Sequence, residues 1–77
     1  MSIPIIKHEL GKWQIRNRLR VILAEKEKTN RWLAAQMGVT EMTVSRWTTN
    51  KIQPSMAQFV ALSHLLQVDL HDLLEDI

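Results

Sequence analysis

The stretch Thr29-Asn30-Arg31-Trp32-Leu33-Ala34-Ala35-Gln36-Met37-Gly38-Val39-Thr40-Glu41-Met42-Thr43-Val44-Ser45-Arg46-Trp47 decides the fold. Thr29 is a good N-cap, and the run from Trp32 to Met37 consists mostly of strong helix formers. Gly38 stands where a helix ends, because a left-handed residue there carries no Cβ penalty. Val39 is apolar and fits the angle between two helices. Thr40 is the next N-cap, and Glu41 in the first turn complements the positive end of the helix dipole. Val44 and Trp47 share one face and are expected to point inward, with Glu41, Met42, Ser45 and Arg46 on the other side. Two amphipathic helices this short cannot stand alone. They must pack on the rest of the chain.

Working outward, Ile15, Leu19, Ile22 and Leu23 fall on one stripe, which predicts a first helix over residues 15–25. Arg16, Arg18 and Arg20 surround that stripe, and a solvated face accounts for at least one of them. Glu25-Lys26-Glu27-Lys28 reads as a polar connection. After Trp47, residues 48–54 read as a loop, in which Asn50 is the non-glycine residue best suited to a left-handed turn. Ser55 and Gln58 match a capping box. A fourth helix should follow to about Leu66, offering Phe59, Leu62, Leu65 and Leu66 to the core. Val68 interrupts, and Asp69 caps a short fifth helix carrying Leu70, Leu73 and Leu74. The expected organisation is an N-terminal arm over residues 1–14 and a helical domain over 15–77. The arm contains Ile3-Pro4-Ile5-Ile6, in which Pro4 confines any strand to an edge. It reads as an arm packed over the core, a strand pairing with a second copy, or a frayed tail, with packing against the first helix or a frayed tail favoured over contact with DNA or a partner.

Composition supports this all-α reading. Seventy-seven residues allow one small domain, and 45% apolar content suits a packed fold rather than a disordered chain. Without cysteine there is neither a disulfide framework nor a thiolate metal site, which fits a cytoplasmic setting. No apolar run is long enough to span a membrane, and no leader pattern is read at the N-terminus. The net charge of +2 hides a division. Residues 1–51 hold all ten Lys and Arg against four Glu, whereas residues 52–77 hold four acids and no Lys or Arg. The helix pair belongs to the basic part, as a polyanion-binding surface would.

The order helix, helix-turn-helix, loop, helix, short helix resembles the lambda-repressor-like (Cro/C1-type) helix-turn-helix family. The similarity is carried by Leu33-Ala34, Gly38-Val39-Thr40, Val44-Ser45-Arg46-Trp47, the Lys51 to Pro54-Ser55 loop, and the closing Leu66-Gln67-Val68-Asp69-Leu70-His71-Asp72-Leu73-Leu74. Asn30 stands where the family commonly has Gln, and Glu27-Lys28 where a Gly-plus-apolar pair is common. Thr48 and Asn50 stand where a Glu and a Gly often follow the recognition helix. These differences touch individual phosphate contacts more than the fold. The resemblance implies a compact five-helix domain whose helix-turn-helix (residues 30–47) places its second helix in the major groove of double-stranded DNA.

On that reading Glu41, Met42, Thr43 and Arg46 are the expected base readers. Arg46 can donate two parallel hydrogen bonds to guanine O6 and N7. Glu41 can accept from cytosine N4 or adenine N6, and Met42 and the Thr43 methyl can meet a thymine methyl. Asn30, Arg31, Thr40 and Lys51 are the expected phosphate contacts. Blander roles compete: a dipole-favoured Glu41, an exposed Met42, and Thr40 and Asn30 as mere helix-capping residues. Trp47 reads as core rather than a stacking platform, and Trp32 as partly exposed. His64 and His71 straddle the break at Val68 and His8 is remote, so no metal site is read. No nucleophile–base pair or phosphate-cradling glycine loop appears, so the chain is not expected to be an enzyme or to need a cofactor or small-molecule ligand.

The expected function is sequence-specific DNA binding by a prokaryotic or phage transcriptional regulator, acting as a homodimer. No effector domain is read, so regulation is expected through abundance, dimerisation or a partner. The apolar arm and the acidic, Leu-rich end (residues 66–77) are the two candidate dimer surfaces. The rival readings are a protein-interaction module of the same fold, such as an antitoxin or accessory subunit, and a basic nucleic-acid binder without sequence preference.

Overall fold

The computed structural model describes residues 16–74. The arm at 1–14, Ile15 and the last three residues lie outside the described residues. Five helices follow in order: α1 (Leu19–Glu25), α2 (Asn30–Met37), α3 (Glu41–Thr48), α4 (Met56–Leu66) and α5 (Leu70–Leu73). The all-helical architecture matches the sequence expectation. Among the described residues the extended backbone is limited to one isolated antiparallel bridge between Asn17 and Leu74.

Helix starts follow local chemistry. The Thr29 hydroxyl accepts the Trp32 N–H at 3.0 Å, and the Thr40 hydroxyl accepts the Thr43 N–H at 3.1 Å. Each satisfies one of the amide donors a helix leaves orphaned at its N-terminus. At α4 the capping box is reciprocal: Gln58 N–H donates to Ser55 Oγ at 3.1 Å, and Ser55 N–H donates to Gln58 Oε1 at 2.8 Å. At α5 the Asp72 carboxylate accepts the Asp69 N–H at 3.1 Å.

Four helices also end alike. The chain leaves α1, α2, α3 and α4 through a left-handed residue: Glu27 (φ 56°), Gly38 (φ 68°), Asn50 (φ 59°) and Gln67 (φ 55°). At each, the following N–H reaches back to a carbonyl in the last turn. The pairs are Lys28 to Leu23 (2.9 Å), Val39 to Ala34 (3.1 Å), Lys51 to Arg46 (2.9 Å) and Val68 to Ser63 (3.0 Å). This closure pairs carbonyls that would otherwise need water. Gly38 is favoured by its φ rather than by crowding, since a Cβ built there meets nothing within 4 Å. Sequence signals marked Gly38 and Asn50 but not Glu27 or Gln67.

The helix starts and stops put one apolar face of each element into a shared core. Leu19, Ile22 and Leu23 of α1 meet Leu33 and Ala34 of α2, Val44 and Trp47 of α3, Phe59, Leu62 and Leu66 of α4, and Leu73 of α5. Burying each large side chain contributes about 1.5–3 kcal/mol, enough to hold helices too short to persist alone. Val39 packs against this core, as its place in the turn predicts.

Two details differ from expectation. Helix α1 begins at Leu19 rather than at residue 15. The backbone before it is committed elsewhere: Asn17 bridges Leu74, and Arg18 N–H donates to the Leu73 carbonyl at 2.8 Å. Leu74 is not part of the fifth helix's buried face. It turns into the bridge and is exposed, while Leu73 is fully buried.

Candidate nucleic-acid interface

Helix α3 is fixed from beneath. Val44 and Trp47 have 0% and 2% of their surface exposed. Because they share one face, the helix cannot turn about its axis without bringing polar groups into the core. The same constraint aims Glu41, Met42, Ser45 and Arg46 at solvent, and all four are exposed. Met42, at 64% exposure, is among the barest apolar side chains described. An open helix face carrying a carboxylate, a thioether, a hydroxyl and a guanidinium offers acceptor, apolar and bidentate donor groups together.

The remaining expected site residues sit differently. Thr43 is half-buried, and its hydroxyl lies 2.9 Å from that of Thr40, so these two side chains form one unit at the start of α3. Arg31, Thr40 and Lys51 are exposed, and Asn30 is half-buried at the first turn of α2. Lys51 follows the left-handed Asn50, and its N–H is held by the Arg46 carbonyl.

The structure places beside Asn30 residues to which sequence reading gave no DNA contact. A depression of about 400 Å³ opens between the end of α1, the start of α2 and the outward side of α3. Arg20, Lys28, Thr29 and Asn30 line it, with Ser45 and Thr49 across from them. Cations and hydroxyls beside the free N–H groups of a helix start form an anion-favouring surface. The Lys28 ammonium is 4.7 Å from the centre of the Trp32 ring, a cation–π contact that steadies it at this edge. The four-residue spacing of Lys28 and Trp32 was the available signal. The spread of Arg20, Lys28 and Ser45 along the chain hid the rest.

Sequence analysis also passed over Asn17 and Gln53. Asn17 is buried, and its Nδ2 donates to the Trp47 carbonyl at 2.9 Å and to Gln53 Oε1 at 2.7 Å. Its Oδ1 accepts the Leu19 N–H at 2.9 Å, a turn that launches α1.

No group of three or more His, Asp or Glu among the described residues is placed to hold a metal ion. No helix among them is long and apolar enough to cross a membrane.

The family model of the Cro/C1-type HTH DNA-binding domain matches residues 18–77. The crystal structure of a "putative DNA-binding protein" from Bacteroides fragilis is similar at 52% identity with a TM-score of 0.78, covering 80% of this chain and 100% of that one. No curated protein matches. The chain therefore belongs to the Cro/C1-type helix-turn-helix DNA-binding domain family.

Proposed function

We propose that the chain is a sequence-specific reader of double-stranded DNA that regulates transcription in the cytoplasm of a prokaryote or its phage. The observation that carries this reading is the division of α3 into an anchored face (Val44, Trp47) and an open one (Glu41, Met42, Arg46). A rod held this way can enter the major groove without losing its core. Glu41, Met42, Thr43 and Arg46 read base edges, while Asn30, Arg31, Thr40 and Lys51 hold phosphates and set the register. Arg20 and Lys28 add to the phosphate surface beside Asn30.

One module of this size presents a single eight-residue helix to the groove. Tight specific binding needs more surface, which two copies reading half-sites about one helical turn apart supply. The working form is a homodimer.

Selection of bound sequences from a pool of random duplexes tests the proposal. The expected outcome is an enriched two-fold symmetric site bound at least about a thousandfold more tightly than bulk DNA. Enrichment of no motif would sink the sequence-reading role and leave a general nucleic-acid binder or a protein-interaction module.

A further inference from the structure

Three amides, buried Asn17 and half-buried Asn50 and Gln53, form a junction at the end of α3. The carboxamide of Asn50 brackets the backbone of Asn17: Oδ1 accepts the Asn17 N–H at 2.8 Å, and Nδ2 donates to the Asn17 carbonyl at 3.3 Å. Gln53 Nε2 donates to the same Asn50 Oδ1 at 2.9 Å, and Asn17 Nδ2 closes the ring onto Gln53 Oε1. The second bond from Asn17 Nδ2 reaches the Trp47 carbonyl in the last turn of α3. Every fully buried side-chain polar atom among the described residues has a partner, and Asn17 uses both its oxygen and its nitrogen. An amide network whose members bond one another favours one geometry over many.

The junction spans the residues that steer Lys51. Asn50 supplies the left-handed turn, and Lys51 and Ile52 both donate their N–H groups to the Arg46 carbonyl, at 2.9 and 3.3 Å. The turn would be loosely held by those bonds alone, since it lies on the exposed side of the helix end. The bracket to Asn17 ties it to the segment that also bridges Leu74 and α5.

We propose that Asn17 is a positioning residue for DNA binding: its side chain fixes Gln53, which holds the Asn50 carboxamide and with it the Lys51 turn at the phosphate backbone. This rests on the DNA-binding reading above. Loss of the Asn17 side chain leaves the outward face of α3 and the backbone bracket to Asn50 in place, but it frees Gln53 and so loosens the Asn50 carboxamide and the turn it supports.

Asn17→Ser is the informative variant, because a serine hydroxyl can still accept the Leu19 N–H and start α1, yet cannot donate to both Trp47 and Gln53. Amide hydrogen exchange on the free protein should show Lys51 and Ile52 losing protection by about tenfold or more beyond any loss at the core amides of Leu33 and Leu62. Binding to mixed-sequence duplex DNA is then measured at several salt concentrations. Lys51→Ala should reduce the salt slope by about one unit in the native background and by close to nothing in Asn17→Ser. Equal loss of protection throughout the core, or an unchanged Lys51 contribution in Asn17→Ser, would overturn the proposal while leaving the DNA reading intact. A native protein that binds no duplex would remove both, and the exchange data would still report whether the junction holds the turn. Asn17→Ala, which also removes the α1 launch, should lower thermal stability further without a larger effect on the slope.

Discussion

The carbonyl oxygen of Arg46 accepts the Lys51 N–H at 2.9 Å, so the guanidinium proposed to read a base and the ammonium proposed to hold a phosphate are joined through one backbone bond. Their chemistry still separates them. Arg46→Ala should cost about 1–3 kcal/mol at the selected site and relax one base position. Lys51→Ala should weaken every duplex about equally and flatten the salt dependence by about one unit. Titrations of both variants against specific and mixed-sequence duplexes distinguish the roles. Equal loss on all sequences would make Arg46 a phosphate contact.

Trp47 governs the aim of the helix. Its side chain is buried in the common core, and its carbonyl is an acceptor in the Asn17 junction. Trp47→Ala should lower stability by about 3–5 kcal/mol, a large part of what a domain this small can have. Thermal unfolding followed by circular dichroism measures it. A mutant as stable as the native chain would mean that Trp47 does not hold the helix down.

Glu27 and Asn50 share one backbone conformation, φ 56° and 59°, but substitution by glycine should move stability in opposite directions. At exposed Glu27 glycine removes about 1–2 kcal/mol of left-handed strain and gives back up to about 1 kcal/mol through the freer unfolded chain. A net gain of up to about 2 kcal/mol is expected. At Asn50 the same change strips the acceptor from the Asn17 N–H and from Gln53, and should cost about 1–3 kcal/mol. Urea midpoints of the two variants, on either side of the native value, are the check. Two shifts of the same sign would contradict it.

That pair also marks how far the sequence could be read. The helix-turn-helix was legible because its signals are local: Thr29, Gly38 and Thr40 each act within a few residues of where they stand. Val44 and Trp47 announced their common face through spacing alone. Asn50 was marked as a turn residue by its tolerance of positive φ. Its second role was invisible, since its partner Asn17 is 33 residues away and chosen by tertiary packing. Glu27 and Gln67 have no special preference for left-handed backbone; the docking of the flanking helices places them there. The start of α1 was misjudged for the same reason, because the backbone at Asn17 and Arg18 is claimed by the chain's far end. Among the site residues, the outward set on α3 followed from the inward one, whereas the cluster of Arg20, Lys28 and Ser45 exists only once α1 has docked.

Glu41 is the one carboxylate on the proposed reading face, and its two surroundings pull in opposite directions. Within the protein it sits in the first turn of α3, where the helix dipole favours a negative charge by about 0.3–1 kcal/mol. On the proposed docking, the phosphates of DNA would repel it. Glu41→Gln should therefore lower stability by a few tenths of a kcal/mol up to about 1 kcal/mol while tightening binding to mixed-sequence duplexes. Affinity for the selected site should rise less, or fall where Glu41 accepts from cytosine N4 or adenine N6, so the ratio of specific to nonspecific binding drops. Parallel titrations at one salt concentration measure that ratio. A ratio that does not change would show that Glu41 only steadies the helix and takes no part in choosing the sequence.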